Sequence, residues 1–399
     1  MRENIERLCR IAAKPSRLII GLMSGTSLDG LDVALCRLTG NGPGTGVEIL
    51  RFETVSYDPS FKNEIRPIFS KRDVDMEKVC LLNPWVALQH AGMILHCLQK
   101  WNMKPAEIDL IASHGQSIYH APQLLHKQKK FGNATLQIGD GDHLAVATGI
   151  ITLSDFRQKH IAAGGEGAPL AVYGDYLVFS KKNEDRIMLN IGGIANFTYL
   201  PGSLDANAVF STDTGPGNTL MDVYTQTFFN QPYDKNASIA QTGSINEPLL
   251  NALLDHDFFR RGFPKTTGPE LFNLAYLANA KEQAQGSEIS HEDTMATLNR
   301  FSATTIADAL SRTTGEGRSF MIYSSGGGMH NPLLMQHLHA LLPQHQFHTT
   351  ESLGINPDAK EALLFAILAN ECIAGNGTSI GNGRKDMPAI SMGKISLPL

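Results

Sequence analysis

The stretch L-I-I-G-L-M-S-G-T-S-L-D-G-L-D-V-A-L-C-R-L, residues 18–38, decides the fold. Its apolar run, residues 18–23, breaks into Ser24, Gly25, Thr26 and Ser27, passes Asp29 and Gly30, and resumes as the alternation Leu31, Val33, Leu35. Two runs of strand length around a D-G signal predict a β-hairpin. The turn is unusual in holding small residues in series. Gly25 lets the backbone approach a ligand, Ser24, Thr26 and Ser27 bring hydroxyls, and backbone N–H groups in such a turn can cradle phosphate.

The pattern returns later in the chain. I-M-L-N-I-G-G-I-A-N-F-T-Y-L (residues 187–200) is again strand, glycine turn and strand, while S-S-G-G-G-M-H-N (residues 324–331) follows an apolar strand and opens a helix. Glycine-rich strand ends repeated in this way point to a nucleotide held between two halves. In the first half, residues 47–55 add a third strand. Residues 61–69 and 84–101 read as helices, the second burying Leu88, Ala91, Ile94, Leu95, Leu98 and Trp101 on one face. Residues 108–112 form a strand ending in S-H-G-Q-S (residues 113–117); strands follow at 135–138 and 150–153, with a helix at 143–148 between them. The second half repeats the order with strands at 187–190, 195–200 and 208–211, helices at 219–229 and 295–310, a strand at 320–323, a helix at 332–342, a short strand at 346–348 and a buried helix at 359–372. The expected domains are an N-terminal arm (1–17), a first domain (18–157) and a second (158–399) carrying an insertion at 230–292.

At 399 residues the chain has room for two domains with a core each. Hydrophobic residues at 42% and charged residues at 18% describe an ordinary globular protein. A net charge of -5 gives no reason to expect nucleic acid or an anionic membrane as partner. The five cysteines are scattered and form no C-x-x-C, which argues against a disulfide framework or a zinc site and suits a reducing cytoplasm. Residues 1–17 mix acids and bases without an apolar core, unlike a secretory signal, and no apolar run approaches bilayer length. The expected location is cytoplasmic.

No G-x-x-x-x-G-K-[ST] is present and no G-x-G-x-x-G follows a strand, so any nucleotide is held by paired hairpin turns. The strongest candidate for chemistry is F-S-T-D-T-G-P-G-N-T-L-M-D, residues 210–222. Asp213 falls at the end of the third strand of the second half, Thr214 is placed to cap the next helix, and the glycines around Pro216 let N–H groups face an anion. A carboxylate beside a phosphate site can take a proton from a nucleophile during phosphoryl transfer; a turn or N-cap role for Asp213 is the competing reading. In S-H-G-Q, His114 and Gln116 offer hydrogen bonds to a polar ligand, against a purely structural role. In S-D-F-R (residues 154–157), Arg157 would pair with a substrate carboxylate or form a surface ion pair. His337, His339, His345 and His348 lack cysteine or carboxylate companions at regular spacing and are not read as metal ligands.

The motifs G-L-M-S-G-T-S-L-D-G-L-D, S-H-G-Q, Q-I-G-D, S-D-F-R, G-G-E-G-A-P-L, N-I-G-G-I-A-N, D-T-G-P-G-N, S-G-G-G-x-x-N and D-A-K-E-A-L-x-F-A together resemble those of the anhydro-N-acetylmuramic acid kinases, members of the actin-like sugar-kinase superfamily. They run in the same order from residue 21 to residue 369, leaving only the N-terminal arm outside. The resemblance implies an α/β fold of two ribonuclease H-like (actin-like ATPase) halves flanking an ATP and substrate cleft. It implies ATP-dependent conversion of 1,6-anhydro-N-acetylmuramic acid to N-acetylmuramic acid 6-phosphate in peptidoglycan recycling. Carried residue by residue, Gly25, Thr26, Ser27, Leu28, Asp29, Gly30, Leu31 and Asp32 would form the ATP-phosphate hairpin, with Asn190, Gly192 and Gly193 in its counterpart and Gly326, Gly327 and Gly328 in the nucleoside-side loop. Asp213 would be the general base and Glu361 a supporting acid; His114, Gly115, Gln116 and Arg157 would face the sugar. The D-x-G-T of many actin-like kinases is replaced, the acid coming later at Asp29, so Mg2+ is expected to be held through phosphates and water and no protein ligand is assigned to it.

Two rivals share the fold. An ordinary amino-sugar kinase would use Asp213 to deprotonate a free 6-hydroxyl, and a nucleotide-switched actin-like binding module would couple nucleotide state to a partner. The latter class carries a peptide-binding domain for which this chain shows no segment, and an exopolyphosphatase-like hydrolase would not be expected to carry D-T-G-P-G-N and S-H-G-Q. Superfamily members often pair, so a homodimer is an open expectation beside the small-molecule sugar partner.

Overall fold

Alternating side chains over residues 16–56 build a three-strand meander in the computed structural model, which describes residues 2–25, 28–167, 170–284, 289–315, 318–377, 380 and 391–399. Thr26 and Ser27 of the first turn, and Ala168 and Pro169 of G-G-E-G-A-P-L, lie outside the described residues. Strand β1 (Ser16–Ser24) pairs antiparallel with β2 (Gly30–Thr39), and β2 with β3 (Gly46–Ser56). On the other side of β1, β4 (Leu110–Ala121) runs parallel; β5 (Ala134–Ile138) pairs antiparallel with its far end, and β6 (Thr152–Ser154) lies parallel to it. Parallel neighbours need a crossover, and the long helix Met76–Lys100 supplies the one from the meander to β4.

The second sheet repeats the plan. Strands β7 (Arg186–Ile191), β8 (Ile194–Leu200) and β9 (Phe210–Pro216) form an antiparallel meander, and β10 (Met321–Ser325) and β11 (Gln346–Thr349) add in parallel beyond β7. The spatial orders β3-β2-β1-β4-β6 and β9-β8-β7-β10-β11 correspond strand for strand, which is the ribonuclease H-like arrangement expected of each half. A last strand, β12 (Lys394–Ser396), returns to pair antiparallel with β6.

Contacts divide the chain into one unit of residues 1–180, 206–208 and 358–399 and another of 181–205 and 209–357. Each has its own core: in the first, Ile20, Leu22, Val33 and Leu35 pack under the helix Met76–Lys100, and in the second, Ile187, Leu189 and Phe197 meet Ile306 and Leu310 of the helix His291–Thr314. The expected break at 157/158 therefore falls inside the first unit, and the helix Lys360–Ala374 and β12 belong to that unit rather than to the second half. The reason is packing. A Cβ on Gly21 of β1 would stand 2.0 Å from the Ala362 carbonyl oxygen, so the missing side chain is what lets the C-terminal helix lie on the sheet. The N-terminal arm is likewise docked: its helix, Arg2–Ala12, buries Ile11, and Asn4 donates to the Pro398 carbonyl at 2.7 Å.

Other expectations move by identifiable causes. The helix expected at 84–101 begins eight residues earlier, at Met76, because the Asp75 carboxylate caps it, accepting from Glu77 N at 2.9 Å, and Pro84 is absorbed in its interior. Its buried row is Leu82, Val86, His90, Ile94 and Cys97, whereas Leu88 and Leu95 are 49% and 36% exposed. The strand expected to end at 112 runs on through S-H-G-Q-S, because Gly115 at φ +73° allows a bulge in which His114 and Gly115 stand where β1 has Met23 alone. Of the expected insertion, the described residues 230–284 contribute the helices Glu247–Leu254, Asp257–Arg260 and Leu274–Gln283, which pack through Leu249, Leu253, Phe258, Phe272 and Leu277 against Leu220 and Phe301, a core of their own within the second unit. Among the described residues no helix is long and apolar enough to cross a membrane.

Gly21→Ala is expected to lower unfolding free energy by about 1–3 kcal/mol, the usual cost of forcing extra volume into a packed core, because a backbone carbonyl has no rotamer by which to escape. Denaturant unfolding monitored by tryptophan fluorescence, with Trp85 and Trp101 both in the first unit, measures it.

Candidate functional site

In the first unit the hairpin turn is braced from beneath. Ser24, the last residue of β1, donates from Oγ to Oε1 of Gln116, and Gln116 Nε2 donates to the Gly25 carbonyl at 3.3 Å and the Ser117 carbonyl at 3.2 Å. With its proton committed to Gln116, Ser24 Oγ accepts from Tyr57 Oη at 2.7 Å; Tyr57 Oη in turn accepts from His90 Nε2 at 2.8 Å. That fixes His90 as the Nε2–H tautomer and leaves Nδ1 bare, and Nδ1 is buried with no hydrogen-bond partner. Burial pushes the His90 pKa down to about 4, so the ring is neutral at physiological pH. Four buried side chains thus form one polar line ending on the turn carbonyl. Leu28 is buried at φ +58°, Asp29 is exposed with its carbonyl accepting from Tyr57 N at 3.0 Å, and Gly30 has no room for a Cβ, which would sit 2.6 Å from the Val55 carbonyl oxygen.

The residues expected to face a sugar are partly spent within the protein. Gln116 holds the turn. His114 is buried with both ring nitrogens in use: Nδ1–H donates to the Gly115 carbonyl at 2.9 Å, and Nε2 accepts from Arg157 Nε at 2.9 Å. Burial, and then the Arg157 charge, push the His114 pKa down to about 3. Its ring lies 4.7 Å from that of Phe365 on the C-terminal helix. Gly115 is needed for its backbone, since a Cβ there would meet the Ile138 carbonyl at 2.6 Å. His114, Gly115 and Gln116 therefore form a scaffold. His114 in turn holds Arg157, whose Nη1 donates to the Gly167 carbonyl at 2.6 Å. Burial lowers the Arg157 pKa, and the Glu361 carboxylate acts against that. Burial of the carboxylate, then Asp32, raise the Glu361 pKa, opposed by Arg157 and Lys360. Asp32 accepts from Thr54 Oγ1 at 2.6 Å, and burial together with Asp358 raises its pKa. The structure thus joins Arg157, Glu361 and Asp32 in one electrostatic group.

In the second unit three glycine segments meet. The β7–β8 turn at Gly192 and Gly193 accepts from the N–H groups of Asn218 at 2.9 Å and of Gly217 and Thr219 at 2.8 and 3.0 Å. These are N–H groups around Pro216 that were expected to face an anion; they close the turn instead. Thr214 is no helix cap either: it lies within β9 and donates to the Ala195 carbonyl at 3.1 Å, while Asn218 occupies the N-cap position. Gly326, at φ +84°, passes so close to Asn190 and Ile191 that a Cβ would stand 2.7 Å from Asn190 Oδ1. A cavity of about 410 Å³ opens beside Gly327, lined by Asn218, Asp222, Tyr233, Lys235 and His330. Burial pushes the Asp222 pKa up to about 6. Asp222 ends the stretch 210–222, and its place one turn into a helix, facing the start of the insertion, was the signal available for it in the sequence.

Asp213 sits inside β9, opposite Asn196 of β8, rather than at a strand end, because β9 continues to Pro216. Its backbone N–H donates to the Lys265 carbonyl at 2.9 Å, and its Oδ2 accepts from Thr267 N–H at 2.8 Å. Burial raises its pKa to about 6; the Thr267 hydrogen bond works the other way, and the Glu270 charge adds to the rise. It caps no helix. A half-buried carboxylate with one oxygen fixed and a pKa near neutrality is suited to accept a proton. The histidines of residues 337–348 go elsewhere, His339 against Phe347, His345 against Phe320 and His348 against Tyr323.

A family profile described as anhydro-N-acetylmuramic acid kinase matches residues 17–396. The chain belongs to the anhydro-N-acetylmuramic acid kinase family. It is therefore a kinase. Relatives bearing that name include proteins of Pseudoalteromonas atlantica, 58% identical over 400 residues and 100% of both chains, of Pseudoalteromonas translucida, 56% identical over 99% of each, and of Caldanaerobacter subterraneus, 39% identical over 98% of this chain and 100% of that one.

For a kinase of this family the brace under Gly25 has a measurable consequence. Gln116→Leu strands the Ser24 hydroxyl and the Gly25 carbonyl, a loss of about 1–3 kcal/mol per buried group left unsatisfied. If the Gly25 turn takes the phosphates of ATP, the expected outcome is a KM for ATP raised about tenfold with the sugar KM within twofold. A raised sugar KM alone would return Gln116 to the sugar side.

Proposed function

We propose that the chain transfers the γ-phosphoryl group of ATP to 1,6-anhydro-N-acetylmuramic acid while water opens the anhydro bridge, giving N-acetylmuramic acid 6-phosphate and ADP. The observation that carries the reading is Asp213, with one carboxylate oxygen held by Thr267 and a pKa raised to about 6. In the anhydro sugar the 6-oxygen is bonded to the anomeric carbon, so no 6-hydroxyl exists to be deprotonated. Asp213 takes a proton from a water attacking the anomeric carbon. The bond from that carbon to the 6-oxygen breaks, and the 6-oxygen forms its new bond to the γ-phosphorus as the bond to ADP breaks. Inverting glycosidases need a second carboxyl to protonate the leaving oxygen; here the phosphoryl group takes that place.

The glycine turns support nucleotide binding: Gly326 and Gly328 pack against Asn190 and Ile191 at the end of β7, Gly327 has room where a Cβ would stand, and the 410 Å³ cavity beside it has the size of a small-molecule site. In our reading the nucleoside enters that cavity, and Mg2+ carried by the phosphates offsets their charge. Arg157, aimed by His114, pairs with the sugar's carboxylate, and Glu361 restrains the Arg157 side chain.

A coupled assay in oxygen-18 water, with the anhydro sugar and separately with free N-acetylmuramic acid, tests the reaction. Turnover of the anhydro sugar with label at the anomeric oxygen is expected; turnover of the free sugar alone makes this an ordinary 6-hydroxyl kinase. Asp213→Asn should bind both substrates yet lose about a thousandfold in kcat, within the range for removing a general base. Because Asp213 acts ionised, kcat should fall as pH drops through about 6, and a flat profile from pH 5 to 8 would count against the role. Arg157→Ala should raise the sugar KM with little change for ATP, and an unchanged sugar KM would remove the clamp.

A further inference from the structure

The insertion contains a lysine with no obvious task. Lys265 is 7% exposed. Its Nζ donates to the Phe258 carbonyl at 3.0 Å and lies 4.3, 5.6 and 5.5 Å from the ring centres of Phe258, Phe259 and Phe263. Among the described residues no carboxylate forms an ion pair with it; the charged groups that act on it are Arg312 and Arg261, opposing, and Asp308, favouring its charge. Burial lowers its pKa to about 8, which keeps it a cation at neutral pH. A cation enclosed by aromatic faces is attracted by their negative π-surfaces, so this ammonium ties residues 258–265 into a tight loop. Arg312 closes the loop from outside, donating to the carbonyls of Phe259 at 2.7 Å and Arg261 at 2.8 Å.

The same lysine's backbone is bound to the strand that carries Asp213. Its carbonyl accepts from Asp213 N at 2.9 Å and from Thr212 Oγ1 at 3.2 Å, and its N–H donates to Thr212 Oγ1 at 3.0 Å. Two residues on, Thr267 N–H reaches Asp213 Oδ2 at 2.8 Å. We propose that Lys265 is a positioning residue for the reaction: its caged ammonium pins the insertion to β9 so that the Thr267 amide fixes one oxygen of Asp213 and presents the other to the nucleophile. This assigns the insertion a part in aligning the base, and it rests on the reading of Asp213 as the base.

The charged group that faces the Asp213 carboxylate is Glu270, from the same insertion, so loss of the Thr267 donor leaves Asp213 with burial and a like charge alone, both of which raise its pKa. Lys265→Met keeps an unbranched apolar chain one atom shorter and removes the ammonium. In the full-length enzyme it is expected to lower kcat at least tenfold with both KM values within twofold, and to move the acidic limb of the kcat profile to higher pH. Lys265→Arg, which keeps a cation in the cage, should recover most of kcat and return the limb towards its original position. Hydrogen exchange at the Thr267 amide reads the pin without reference to turnover: protected in the parent protein and exposed in Lys265→Met. A limb that does not move, or a Thr267 amide that stays protected in Lys265→Met, overturns the proposal. If Lys265→Met does not fold, Phe259→Leu, which thins the cage, should produce the same shift in smaller degree, and its absence overturns the proposal as well. Full turnover in Asp213→Asn strikes the base assignment alone, since the exchange result still decides the pin.

Discussion

A single missing side chain sets the arrangement of the first unit. With only hydrogen on Gly21, the C-terminal helix approaches β1 until a carbonyl occupies the space of a Cβ. Arg17, 2% exposed at the start of the same strand, then fastens it. Its guanidinium donates to Asn370 of that helix and to the carbonyls of Ala12, Lys14 and Gly40, so a buried charge is made tolerable by hydrogen bonds from three separate segments. Everything the helix brings follows from that contact: Phe365 against His114, His114 on Arg157, and Glu361 within electrostatic reach of both Arg157 and Asp32.

The two units solve their chemical problems differently. The first uses neutral, buried histidines as geometric parts: His90 terminates a hydrogen-bonded line and His114 holds a guanidinium, and burial keeps both rings uncharged. The second relies on carboxylates whose pKa burial has raised, Asp213 and Asp222, one on a strand and one on the helix that follows it. Burial thus keeps the rings of His90 and His114 neutral, while it raises the carboxyl pKa of Asp213 and Asp222 to about 6.

Much of this was legible in the residues. The two meanders, the glycine turns and the helix at 219–229 follow from alternation, turn chemistry and three-four spacing, which are local properties. What was not legible is non-local. The extension of β4 through S-H-G-Q-S depends on a bulge matched to Met23, and the membership of residues 358–374 in the first unit depends on Gly21 nearly 340 positions away, an order set by ~3.8 Å steps of chain that carry no record of where they return. Gln116 and His114 were assigned a ligand because they are polar and sit in a motif; their bonds to Gly25, Ser24 and Arg157 appear only once the strands are side by side. The hydrogen bond from Thr267 to Asp213 was invisible for the same reason, as the insertion shows no pattern in sequence that points back to β9.

The interleaving of the units has a consequence for how the protein is made. Domains usually fold in the order in which they leave the ribosome. Here the first unit needs residues 358–399 as well as residues 1–180, whereas residues 181–357 have by then already been synthesised. The later-starting unit is the first to have its parts complete, and the earlier one must wait, its Gly21 groove uncovered, until the C-terminal helix emerges.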